Sequence, residues 1–363
     1  MDDVTTKILE SYVNKQIPKL QTVNQSDLDS MFETYKPEEI IAQSKMSASD
    51  LVDTFKLSFI TESLTEQYAD TYLAGAKDHG AFWLSNYVTG FWAPDERGHA
   101  DPFKNILVDF GIDKSELEQQ VQEAFDSVSY QEVHSSGYHP IELTTYGMIQ
   151  ECITDYWYEL QRGFFPEESN TTKILSKVKG REALHTVQFR NLTAIQLESD
   201  PGLMKQITHA ISNFQMPSNH IPLVANIESK TQKWIPRMNG DITALLVRII
   251  GNINEMLQDK AKLGELIVGY ASLKEKRFLR YVPNVFVSKA LGNIRGGHGL
   301  VGEIVLEHLG LESSEGLSPM TFPELIEYRF RTILKRWVTE KMNIEGYLKD
   351  FSQEPTKIKL QSL

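Results

Sequence analysis

The chain of 363 residues has one cysteine, Cys152, so it can form no internal disulfide and no cysteine-ligated zinc or iron–sulfur site. It has no excess of basic charge. A formal net charge of −12 argues against nonspecific nucleic-acid binding as the main activity, which needs a basic footprint. No apolar run approaches the roughly 18 residues of a membrane-spanning helix. The N-terminus carries Asp2 and Asp3 and lacks both the charged-then-apolar pattern of a secretory signal and an Arg-rich transit segment, so a cytoplasmic chain is expected. Low-complexity tracts are absent as well.

What is present is a set of separated carboxylates, Glu62, Glu96, Glu151 and Glu182, two of which have a histidine three residues on, His99 and His185. Glu-x-x-His puts both side chains on one face of a helix. One such tetrapeptide is expected by accident in a chain with nine histidines. The spacing carries the argument. Glu62 and Glu96 lie 34 residues apart with their midpoint at His79, in the loop-like Lys77-Asp78-His79-Gly80; Glu151 and Glu182 lie 31 apart around Phe165-Pro166-Glu167. If each pair spans an antiparallel hairpin, both members return to the same depth, about 25 Å from the turn. Six donors then meet in one layer of a four-helix bundle, the recipe of carboxylate-bridged di-iron and di-manganese proteins. Taken singly, each glutamate reads as a solvated or ion-paired residue and each histidine as a satisfied core residue. Taken as an ordered set they require cations, because burying four carboxylates without them is expensive.

The expected fold is all-α, a ferritin-like four-helix bundle with additional helices. Residues 1–45 read as an N-terminal helical extension, with helices at about 4–14 and 28–35 broken by Pro18 and Pro37. The bundle occupies 46–282. Its first helix is expected over about 47–77, capped at Ser47 or Ser49, with Phe55, Phe59, Glu62, Glu66 and Ala69 inward; its second over about 81–109, with Trp92, Glu96, His99 and Phe103 on one face and Pro94 and Pro102 as possible kinks. An amphipathic helix over 114–128 falls within the 55 residues between Glu96 and Glu151, the long crossover of ferritin-like connectivity. The third and fourth ligand helices are expected over 140–162 and 170–197, followed by helices over 201–214, 224–234 and 241–257. Residues 283–363 read as a C-terminal helical extension of the same domain, with a last helix over 323–348.

Several segments resemble the soluble acyl-acyl carrier protein desaturase family. Ile60-Thr61-Glu62 is similar to its first ligand segment, Trp92-Ala93-Pro94-Asp95-Glu96-Arg97-Gly98-His99 to its Trp-x-Ala-Glu-Glu-Asn-Arg-His, and Gln150-Glu151-Cys152-Ile153-Thr154 to its Gln-Glu-x-x-Thr. Met216-Pro217 follows the family's order, and the similarity covers about residues 50–275. In two places the chain departs from the pattern. Arg181-Glu182-Ala183-Leu184-His185 stands where Asp-Glu-x-Arg-His is common, and Gly98 replaces an arginine; such neighbours orient ligands and tune a metal.

The resemblance implies two Fe(2+) per chain held by Glu62, Glu96, His99, Glu151, Glu182 and His185, with the Thr154 hydroxyl as a catalytic group on the oxygen-binding side. It implies O₂-dependent desaturation of a fatty acyl chain on acyl carrier protein, a step of fatty acid biosynthesis, with electrons from ferredoxin, in a homodimer. An external donor is needed because the one Gly-x-Gly-x-x-Gly, Gly297 to Gly302, reads as a loop, with too little chain after it for a βαβ unit. Lys260, Lys262, Lys274, Lys276, Arg277 and Arg280 form a basic stretch that is either a docking face for those acidic partners or an ordinary solvated face. Trp83, Trp92 and Trp157 are core residues or parts of an electron path or channel wall. Two other readings are a di-iron hydroxylase or N-oxygenase on a different substrate, and a non-enzymatic ferritin-like iron-binding protein.

Overall fold

The computed structural model describes residues 2–257 apart from 128, 131–133, 136 and 221–226, and these belong to one unit. The basic stretch at 260–280, the glycine run ending at Gly302, the expected helix over 323–348 and the extension of 283–363 lie outside the described residues. Among the described residues all regular structure is helical, and no helix is long and apolar enough to cross a membrane.

Helix α1 spans Asp3–Gln16, where the Asp2 carboxylate accepts the Thr5 amide at 2.7 Å. The helix expected over 28–35 is not there. Asn24 and Asp27 form a reciprocal capping box that starts α2 earlier, at Gln25–Asp29, and both the Ser30 amide and its hydroxyl bond back to the Asp27 carbonyl, closing it. Helix α3, Pro37–Ile40, follows.

The first ligand helix begins where expected, with the Ser47 hydroxyl accepting the Asp50 amide, but it is two helices rather than one: α4, Ala48–Ser63, and α5, Thr65–Asp78. Leu64 leaves helical geometry (φ −95°, ψ 16°), and the Thr65 hydroxyl satisfies the Glu62 carbonyl at 2.8 Å. This break corrects the inward stripe. Phe55, Phe59, Glu62 and Ala69 are buried as expected, whereas Glu66 faces solvent and pairs with Arg97 at 2.6 Å.

The segment expected as one helix over 81–109 is also broken. It runs through α6, Phe82–Tyr87, a π-helical turn over Val88–Trp92, α7, Ala93–Glu96, and α8, Ala100–Asp109. Pro94 and Pro102 each sit in the first turn of a new helix, where a missing N–H costs nothing. Between α7 and α8, Arg97 takes ψ 55° and the Gly98 and His99 amides both point to the Glu96 carbonyl, at 2.7 and 2.9 Å. Gly98 has a local reason: a Cβ there would come within 3.1 Å of the Val23 carbonyl of the N-terminal extension.

Helix α9, Lys114–Ser127, leads to the third and fourth ligand helices, α10, Pro140–Arg162, and α11, Asn170–Ser199. Pro140 opens α10 and Ser169 caps α11. Helices α10 and α11 pack along their length as one hairpin; α4 and α5 pack against α6 to α8 as the other, and α10 meets α5 while α11 meets α8. Beyond them lie α12, Met204–Ser212, α13, Ile227–Arg237, and α14, Ile242–Leu257. Two clusters fix the ends of the hairpins: Phe55 among Phe103, Phe110, Phe164 and Phe165, and Trp234 of α13 with Met46, Leu57 and Met238.

Candidate metal centre

The two hairpins bring all six sequence-predicted ligands into one buried layer. Glu62 lies at the end of α4, Glu96 at the end of α7, His99 just before α8, Glu151 in α10, and Glu182 with His185 in α11. Only Glu182 and His185 occupy adjacent positions on a regular helix. The break after Glu96 nonetheless leaves the other pair facing each other, with His99 Nδ1 3.0 Å from Glu96 Oε2.

The donors form two overlapping groups, each of which could hold a metal ion: Glu62, Glu96, His99 and Glu182 in one, and Glu96, Glu151, Glu182 and His185 in the other. Within each group the donor atoms lie within 4.8 Å of one another. Glu96 and Glu182 belong to both. Each has one oxygen toward a histidine of the opposite hairpin: Glu96 Oε1 is 2.7 Å from His185 Nδ1, and Glu182 Oε1 is 2.7 Å from His99 Nδ1. These four atoms have no aligned hydrogen-bond partner although all are buried. Buried polar atoms that approach without aligned hydrogen bonds are what a shared cation would satisfy.

Electrostatics agrees. Burial, and then the charge on Glu96, pushes the Glu62 carboxyl well above its ordinary range. Burial followed by Glu96 and Glu151 does the same to Glu182. Glu96 is buried too, but His99 and His185 hold it well below that range. His185 is penalised by burial, yet the Glu96 charge and its bond to Asp95 raise it well above a free imidazole. Hard oxygen donors and imidazoles in this ratio suit iron or manganese.

Around the ligands stand residues that the motif spacing did not single out as supports. Asp95 Oδ2 bonds His185 Nε2 at 2.8 Å and is gripped by Arg181 at 2.6 Å, while Asp95 Oδ1 accepts Arg181 at 2.8 Å and the Gln21 amide at 2.9 Å. Arg181 also donates to the Lys19 carbonyl and lies over the Phe91 ring. The N-terminal extension therefore closes this side of the layer. The Trp92 indole donates to Glu151 Oε1 at 3.0 Å, and the Tyr158 hydroxyl donates to Glu62 Oε1. Tyr158 falls seven residues after Glu151, two turns along the same face, so its position was available in the sequence.

No protein-family model matches the chain, and no curated protein matches it.

A cavity of about 20 Å³ opens on the layer, room for one water or a diatomic molecule. Thr61, Thr65, Tyr68, Gln150, Thr154, Met216 and Pro217 line it together with Glu62, Trp92, Glu96, Glu151 and Glu182. Thr154, half-buried, donates its hydroxyl to the Gln150 carbonyl at 3.0 Å. Two stretches that carry the same resemblance in the sequence, Gln150 to Thr154 and Met216-Pro217, thus meet at one wall. Trp83 and Trp92 are fully buried, and Trp157 donates to the Ser58 hydroxyl at 3.0 Å. Burial pushes the Cys152 thiol up to about 12, so it packs as a neutral group.

Proposed function

We propose that the layer binds two iron ions and that the protein is an O₂-dependent desaturase of a carrier-protein-bound fatty acyl chain. The observation that carries the metal part is the sharing of Glu96 and Glu182 between two donor groups, with Glu96 Oε1, Glu182 Oε1, His99 Nδ1 and His185 Nδ1 all lacking an aligned hydrogen-bond partner. The choice of reaction is supported by the resemblance of residues 92–99 and 150–154 to the acyl carrier protein desaturases.

Glu62 and His99 would serve one iron and Glu151 and His185 the other, with Glu96 and Glu182 common to both. When bound, the iron pair would supply O₂ reduction coupled to removal of two hydrogens from adjacent methylenes. The balance is one acyl CH₂–CH₂, O₂, two electrons and two protons giving one internal alkene and two waters. Ferredoxin would deliver the two electrons, since the chain has too few cysteines for a cluster of its own. The protein's part is positional. Tyr158 and Trp92 hold the outer oxygens of Glu62 and Glu151, and the burial of the layer excludes bulk water. The Thr154 hydroxyl, on the cavity wall, would have to leave the Gln150 carbonyl to give a proton to a small molecule there.

The test is to load the full chain with Fe(II) and supply acyl carrier protein thioesters of several chain lengths, ferredoxin with its reductase, and O₂. Mass spectrometry should find two irons per chain and a product lighter by two hydrogens with an internal double bond. A hydroxylated or N-oxygenated product would instead make it an oxygenase. Loading of many irons per chain without turnover would make it a storage protein.

A further inference from the structure

We propose that the two cation positions are unequal and fill in order, the one at Glu151 and His185 before the one at Glu62 and His99. This deepens the metal reading above and rests on it.

The two hairpins repeat one pattern: a residue, then a glutamate, then a histidine three further on. In the first hairpin the leading residue is Asp95, before Glu96; in the second it is Arg181, before Glu182. Asp95 reaches across to the histidine of the other hairpin, His185, and bonds its outer nitrogen at 2.8 Å. A matching acid at 181 would do the same for His99. Arg181 instead turns to Asp95, and His99 Nε2, fully buried, has no hydrogen-bond partner. One carboxylate thus serves one histidine, and the other histidine has none.

The rest of each position follows the same inequality. Glu151 and Glu62 each have one donor, Trp92 and Tyr158, but Glu151 is 1 % exposed and lies within the unbroken helix α10. Glu62 is 8 % exposed and sits two residues before the break at Leu64. Asp95 itself is immobilised by Arg181 and by the Gln21 amide of the N-terminal extension, so the His185 ring is fixed before a cation arrives. A bond from the outer ring nitrogen to a carboxylate fixes the tautomer and raises ligand basicity; its loss typically lowers metal affinity by about 10 to 100-fold. Asp95 and Arg181 are positioning residues in this scheme.

The experiment is an anaerobic titration of the full chain, freed of metal, with Mn(II) alone, followed by calorimetry and by electron paramagnetic resonance. Two steps separated by at least about tenfold in affinity are expected, with a mononuclear signal at one equivalent that gives way to a spin-coupled pair at two. His99→Ala should erase the weaker step and keep the tighter one. Asp95→Asn should weaken the tighter step and narrow the gap. Uptake of two equivalents in a single step with no mononuclear species would overturn the inequality while leaving a dinuclear site standing. Loss of the tighter step in His99→Ala would reverse the assigned order and overturn the proposal equally. Failure to bind Mn(II) at all would overturn the metal reading and this inference together, whereas absence of alkene formation would touch neither.

Discussion

Glu182→Gln should remove most of the stability that a cation adds. Glu182 is 1 % exposed, belongs to both donor groups, and its carboxyl is pushed well above its ordinary range by burial and then by Glu96 and Glu151. In a chelator the wild-type chain must either bury that charge or hold a proton on it at neutral pH. Glutamine keeps the shape and removes the choice. Relief of a buried, poorly compensated charge is worth on the order of 1 to 4 kcal/mol. For a unit of this size each kcal/mol moves Tm by about 2–4 °C, so chelated Glu182→Gln should melt above chelated wild type by a few degrees. At a free cation concentration about 100-fold above Kd, each bound ion adds about 2.7 kcal/mol to the wild type. Two ions then raise its Tm by about 10–20 °C. The variant, with one donor lost from both positions, should gain little. Calorimetric melts at neutral pH with EDTA and with Mn(II) give the four values needed. Equal gains on Mn(II) in the two proteins, or a chelated variant melting several degrees below wild type, would refute the argument.

Phe55→Ala should cost about 3–5 kcal/mol in denaturant unfolding, because the ring is fully buried among four other phenylalanines; a loss under 1 kcal/mol would mean the cluster closes over the gap. Gly147→Ala should cost about 1–3 kcal/mol by overpacking, since the new Cβ would lie 2.7 Å from the Tyr72 hydroxyl and 2.9 Å from the Phe189 ring. Asp50 supplies a pH dependence. Burial alone would push its carboxyl up, but Trp234, Ser47 and Arg237 hold it below its ordinary 3.8, so its contribution is complete above that value and is lost as pH falls through the lower folded one. Protection factors across 227–237, referred to the intrinsic exchange rate at each pH, should therefore fall as pH drops below 3.8 in the wild type, and Asp50→Asn should show the lower protection already at neutral pH.

The helices that ran unbroken were the legible ones. Helix α10 opens on a proline at its first position and α11 starts at Asn170 as expected, although its Ser169 cap was not read from the sequence. The six ligands were legible because hairpin symmetry turns sequence spacing into depth. Where the chain breaks helix geometry, periodicity misled: the inward place given to Glu66 assumed that α4 continued through Leu64, and Glu66 ended in solvent with Arg97. Arg181 was read as a missing acid. Its use, gripping Asp95 and the Lys19 carbonyl, depends on contacts across 86 and 162 residues that no local pattern carries. The role of the N-terminal extension was hidden for the same reason.

The π turn over Val88–Trp92 gives the protein one residue more than an α-helix would need to cover that distance. An α-helix advances by about 100° per residue, so deleting one residue here and letting the turn relax to α would keep the phase, whereas α geometry with all five residues kept would swing everything downstream by roughly a quarter revolution. Trp92 would leave Glu151, and Asp95 and Glu96 would sweep away from the opposite hairpin together. The angular phase of Asp95 and Glu96 thus depends on the π turn absorbing its one surplus residue.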